Sequence, residues 1–60
     1  MNLPKEPNML LSFINMKLRD SYSSLEAMCE DLDLDTVEIK NMLEQAGIRY
    51  DEGANQLKMK

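Results

Sequence analysis

Between Ser23 and Ala46 the apolar residues keep two helical registers separated by one short break. Leu25, Met28, Cys29 and Leu32 recur at the three- and four-residue intervals that line up on one stripe of a helix, leaving Glu26, Ala27, Glu30 and Asp31 outside. After Asp33, Leu34 and Asp35 the pattern resumes with Ile39, Met42, Leu43 and Ala46. Each register opens on a start signal. Ser23 with Glu26, and Asp35 with Glu38, have the spacing of a capping box, in which two side chains satisfy N–H groups that the first helical turn leaves unpaired. Helices this short are unstable alone, so the two stripes must pack on each other and on a third element. Cys29 stands where a helix-turn-helix pair places a small residue, and Asp33 where its turn often has glycine. Aspartate tolerates the left-handed conformation better than most residues.

The third element precedes this pair. Pro4 and Pro7 favour extended chain over residues 1–6, and Pro7 suits the first turn of a helix spanning 7–19. Seven of the ten residues from Met9 to Leu18 are apolar. At about 100° per residue, Leu10, Leu11, Ile14 and Leu18 share one side, and Met9, Phe13 and Met16 the other. Helix one therefore has two apolar faces. The expected second and third helices cover 24–32 and 36–46, with Gly47 ending the latter in a left-handed conformation. "IRYD" and "QLKM" each alternate apolar and polar residues around the turn-forming "EGAN", which predicts a hairpin over 48–59 with Ile48, Tyr50, Leu57 and Met59 on one face. The expected fold is one mainly α domain over 1–60: three helices containing a helix-turn-helix-like pair, then a short β-hairpin, in winged-helix-like order.

Sixty residues bury little surface, and a core of this size supplies about 3–5 kcal/mol. With a single cysteine, no disulfide forms within the chain, which suits the reducing cytoplasm expected for this protein. No apolar run reaches the roughly 18 residues of a membrane span. The stretch "MLLSFINM" lacks the flanks and cleavage site of a signal peptide, so secretion is not expected.

The helix-turn-helix pattern raises DNA binding as a function, and the charges oppose it. From Ser23 to Ala46 there are seven acids (Glu26, Glu30, Asp31, Asp33, Asp35, Glu38, Glu44) and one base, Lys40, within a chain of net charge -4. Phosphate neutralisation by Lys and Arg carries most nonspecific affinity for DNA. On the third helix Lys40 and Asn41 are the candidate DNA contacts, since asparagine reads adenine and lysine meets phosphate or guanine. Glu38 and Glu44 flank them, so nucleic acid is not the expected partner.

Other chemistry is equally short of parts. "DLDLD" places Asp31, Asp33 and Asp35 at the first spacings of a calcium loop, but Thr36 replaces the required glycine and Met42 the closing acid. The chain has no histidine to activate a serine or Cys29, and its two glycines make no phosphate-binding loop. No catalytic residue, metal ligand, cofactor or small-molecule substrate is expected. Met9, Phe13 and Met16 are the candidate partner-binding residues, because methionine is frequent on surfaces that adapt to partners and a small core gains from association.

The run "MNLPKEPNMLLSFINMKLRDSYSSLEAMC", with "YDEGANQL" near the other end, resembles the short bacterial family DUF4250, a domain of unknown function. Leu57 stands where the resemblance leads one to expect an aromatic residue. The resemblance implies a small bacterial cytoplasmic protein and brings no activity or catalytic residue with it. In "KLRD", Lys17, Arg19 and Asp20 end helix one, with Arg19 expected to pair with acids of helix two. The functional expectation is a non-catalytic interaction module that self-associates through helix one or binds another protein there. The alternative is a winged-helix DNA-binding regulator.

Overall fold

Helix α1 (Pro7–Asp20) starts where its proline allows. In the computed structural model, which describes residues 3–60, Glu6 precedes it in an extended conformation and caps it. The two Glu6 carboxylate oxygens accept from the Asn8 and Met9 N–H groups at 3.1 and 2.9 Å, and Pro7 needs no partner. The expectation of extended chain at Met1 and Asn2 lies outside the described residues. At the other end, Ser21 and Tyr22 both donate their N–H groups to the Lys17 carbonyl.

Helices α2 (Leu25–Asp31) and α3 (Thr36–Gln45) form the helix-turn-helix-like pair. The cap of α2 is Ser24, one residue later than the capping-box spacing suggests: its hydroxyl accepts from Ala27 N–H at 3.0 Å. This correction has a simple cause. The capping frame is set by which residue starts the buried stripe, and Leu25, fully buried, must be the first helical residue. Asp35 does cap α3, accepting from Val37 and Glu38 N–H groups. Between the helices Asp33 adopts φ 59°, and Leu34 N–H closes the turn onto the Cys29 carbonyl at 2.7 Å. Gly47, at φ +77°, ends α3 in the left-handed region. A Cβ there would meet nothing within 4 Å, so glycine is required by backbone conformation rather than by space.

Strands β1 (Ile48–Asp51) and β2 (Gln56–Met59) pair antiparallel, with Ile48 opposite Met59 and Tyr50 opposite Leu57. Those four side chains therefore share a face. The connecting turn is held by Asp51, whose Oδ1 accepts from Gly53 and Ala54 N–H groups, and by Asn55 at φ 51°.

Every element contributes to one core. Leu10, Ile14 and Leu18 enter it from α1, Leu25, Met28 and Cys29 from α2, Ile39 and Leu43 from α3, and Ile48 and Leu57 from the hairpin. Helix one thus turns its Leu10–Ile14–Leu18 stripe inward, while Leu11 is only half-buried at the margin. The result is a mainly helical three-helix domain followed by a two-stranded hairpin, winged-helix-like in order.

Two asparagines lock the hairpin to the helices. Asn15 faces the outer edge of β2, where its Oδ1 accepts from Leu57 N–H at 2.6 Å and its Nδ2 donates to Leu57 C=O at 3.1 Å. One side-chain amide thus replaces a neighbouring strand. Asn55 donates from Nδ2 to the Leu18 and Tyr22 carbonyls at 3.3 and 3.0 Å, taking up acceptors at the end of α1. Its Oδ1 accepts from the Tyr50 hydroxyl at 2.7 Å, and that hydroxyl in turn accepts from Leu25 N–H at the start of α2.

Candidate functional site: the outer face of helix one

With Leu10, Ile14 and Leu18 committed to the core, Met9 and Met16 on the far side of α1 are left exposed among the described residues. Met9 is 61% exposed and Met16 45%. Phe13 lies between them in sequence and within about 60° of both around the helix axis. It is half-buried, packing one side against the edge of the core. The Lys17 ammonium sits 5.6 Å from the centre of its ring, at cation–π distance. The three expected contact residues are therefore not equivalent. Two are flexible thioethers standing in solvent, and the third is an aromatic anchored in the domain with a cation over its ring.

Beside this face a groove of about 570 Å³ runs between α1 and the hairpin turn, with Leu11, Ser12, Met16, Arg19 and Gln56 on its walls. Its floor includes Asn15 and Asn55, whose amides are already spent on backbone groups. Among the described residues no buried side-chain nitrogen or oxygen lacks a partner. The groove's surface is as much polar as apolar, but its two asparagine amides are engaged with the backbone and do not converge on a small ligand.

The candidate DNA contacts lie on α3. Asn41 is exposed on α3. Lys40 is exposed too, but its ammonium pairs with Glu26 of α2 at 3.6 Å. Glu44 pairs with Lys60, and Val37, 67% exposed, places an apolar side chain at the centre of the same face. Arg19 does not reach helix two. It pairs with its neighbour Asp20 at 3.0 Å, while the Tyr22 hydroxyl takes the acid of α2, donating to Asp31 at 2.6 Å. Adjacency within the last turn of α1 makes the Asp20 contact, whereas Tyr22 is carried toward α2 by the connecting segment. The Asp20 carboxyl is held below its usual range chiefly by the Arg19 hydrogen bond, and the Tyr22 phenol is pushed up chiefly by its bond to Asp31.

The three aspartates of "DLDLD" have separate tasks: Asp31 accepts from Tyr22, Asp33 makes the left-handed turn, and Asp35 caps α3. Cys29 is fully buried. Burial pushes its thiol above the ordinary value, Glu26 and Asp35 add to the rise, and Thr36 and Lys40 oppose it. A thiol so placed is a packing group rather than a nucleophile.

Sequence reasoning passed over Asn15 and Asn55. The available signal was a lone amide interrupting the apolar run of helix one, and an asparagine at the end of a hairpin turn. Neither signal names a partner. The "YDEGANQL" stretch is now legible residue by residue: Tyr50 and Asn55 bind each other, Asp51 holds the turn over Gly53 and Ala54, and Leu57 is a core residue.

Among the described residues no helix is long and apolar enough to cross a membrane. The family model described as "Domain of unknown function (DUF4250)" matches residues 4–57, nearly the whole chain. No curated protein and no solved structure matches it.

Proposed function

The chain belongs to the DUF4250 family, and from its surface we propose a small, non-catalytic, cytoplasmic interaction module that self-associates through the outer face of α1. The observation that carries this reading is the pair of exposed methionines, Met9 and Met16, flanking the half-buried Phe13. A second copy laid across this face covers apolar surface that the chain's own elements leave in water, and methionine adapts to such a contact with little strain. Lys17 at the rim supplies charge for orientation. No catalytic role is assigned, because the one thiol is buried and no histidine is present to activate a hydroxyl.

Light scattering after gel filtration, over a concentration series, tests this. The expected result is a concentration-dependent rise in mass that Met9→Gln with Met16→Gln removes. These two side chains stand in solvent, so the double variant keeps the fold, whereas Phe13→Ser also disturbs the core margin. A strict monomer at every concentration ends the self-association reading.

A DNA-binding regulator is the second reading, favoured by the α2–α3 pair and the exposed Asn41. The Lys40–Glu26 pair and the acids around it weigh against it. Titration with duplex DNA at low salt decides: no change at the Lys40 and Asn41 amides removes it.

A further inference from the structure

A two-stranded hairpin has two edges, and this protein treats them differently. On the edge of β2 the Asn15 amide takes both main-chain groups of Leu57. The edge of β1 has no such partner among the described residues. The pairing register, with Lys60 N–H donating to Gly47 C=O at 2.9 Å, makes Arg49–Lys58 and Asp51–Gln56 the hydrogen-bonded pairs. Ile48 and Tyr50 therefore aim their N–H and C=O groups away from β2, and among the described residues none of these groups finds a partner. Alongside, between β1 and α3, runs a groove of about 300 Å³ whose walls include Leu43, Glu44, Ile48 and Tyr50. It is open space next to an unpaired strand. The strand carries neither proline nor bulge, two devices by which sheet edges are protected.

The charges on β1 specify what fits there. Arg49 lies directly opposite Lys58, a like-charge cross-strand pair. Lys58 is compensated by Asp51 at 2.9 Å, but among the described residues Arg49 enters no ion pair. The strand reads Ile48, Arg49, Tyr50, Asp51, so it holds a base and an acid two residues apart on its outer face. That spacing is self-complementary in one antiparallel register. With the two-fold axis at Tyr50, Tyr50 exchanges both main-chain bonds with its own copy and each Arg49 faces the other strand's Asp51. The alternative centred on Arg49 also satisfies the backbone but sets arginine against arginine. Charge thus selects between two registers that main-chain geometry allows.

We propose that the free edge of β1 pairs antiparallel with the β1 edge of a second copy, centred on Tyr50, joining two hairpins into one four-stranded sheet. The contact is distinct from the α1 face and stands or falls separately. Because the edge is only four residues long, the pairing is weak and belongs to high local concentration.

Amide hydrogen exchange read by NMR from micromolar to millimolar chain tests it. The Tyr50 amide, unpaired in a single copy, is expected to gain protection with concentration. Arg49→Glu sets acid against acid twice and is expected to weaken the association on the order of tenfold, leaving the fold intact. Met9→Gln with Met16→Gln is expected to leave Tyr50 protection unchanged, which separates this contact from that of α1. A Tyr50 amide that exchanges at the open rate at every concentration overturns the proposal. So does a concentration dependence that Arg49→Glu leaves unshifted, or protection of the outward-facing Ile48 amide that rises equally in a chain made by chemical synthesis with the Tyr50 nitrogen methylated. Protection that arises only when another protein is added also overturns it, since the edge then serves a different occupant.

Discussion

Replacing Asn55 by alanine should all but unfold this protein, although the residue touches little of the apolar core. Its amide makes three hydrogen bonds, to the Leu18 and Tyr22 carbonyls and from the Tyr50 hydroxyl. At about 1 kcal/mol each, their loss costs roughly 3 kcal/mol, and more where a half-buried carbonyl is left without water. Asn55 also sits at φ 51°, where a Cβ-bearing residue without asparagine's local hydrogen bonding is strained by about 1–2 kcal/mol. The sum, about 4–5 kcal/mol, matches the whole stability expected of a domain this small, about 3–5 kcal/mol. Urea unfolding followed by helical circular dichroism measures it, with unchanged slope as the check on two-state behaviour. Asn55→Gly separates the two causes, because glycine removes the same hydrogen bonds but adopts the left-handed region freely. It should be about 1 kcal/mol less damaging than alanine. Asn55→Asp keeps the acceptor for Tyr50 yet turns an oxygen toward two carbonyls, and should be at least as damaging as alanine. An Asn55→Ala protein within about 1 kcal/mol of the parent would falsify the view that this amide joins α1, α2 and the hairpin.

Further outcomes follow from the same contacts. Ser24→Ala should cost about 1 kcal/mol and Ser23→Ala close to nothing, because only Ser24 caps α2. Equal losses in chemical denaturation would return the cap to Ser23. Gly47→Ala should cost about 1 kcal/mol through backbone strain alone, there being room for the methyl group, and a melting temperature equal to the parent's refutes that assignment. The Asp51 carboxyl is held below its usual range by Lys58 first and the Ala54 N–H next. A lowered folded-state value means this contribution is present above the unfolded carboxylate value, near pH 4, and is lost as pH falls through the folded one. Asp51→Asn should therefore flatten the acid limb of a melting-temperature profile below about pH 4 and leave the alkaline limb alone. Cys29 should resist alkylation in the native protein and react at the free-thiol rate in urea, since it is buried with its thiol pushed up. Rapid native labelling would show that α2 opens.

The sequence by itself determined the local structure. Apolar spacing placed three helices, because the stripe of a helix has to find a partner whatever the fold. Asp35 announced the start of α3, Gly47 its end, Asp33 the left-handed turn, and alternation around "EGAN" the hairpin face. These are short-range effects, decided within a few residues by sterics and by hydrogen bonds the chain makes to itself. Tertiary structure decided everything that depends on which surfaces meet. Helix one had two apolar faces and no internal reason to prefer either. Packing chose Leu10, Ile14 and Leu18, and left Met9 and Met16 in water. Spacing pointed to Ser23 as the cap of α2, and burial of Leu25 moved it to Ser24. Arg19 had several acids within sequence reach and took the nearest. The partners of Asn15 and Asn55 lie 42 and up to 37 residues away, beyond what any local pattern encodes. The same is true of the open edge of β1. Its strand was legible from alternation, but only the assembled domain shows that Asn15 occupies Leu57 on one side of the hairpin and that α3 leaves room beside the other.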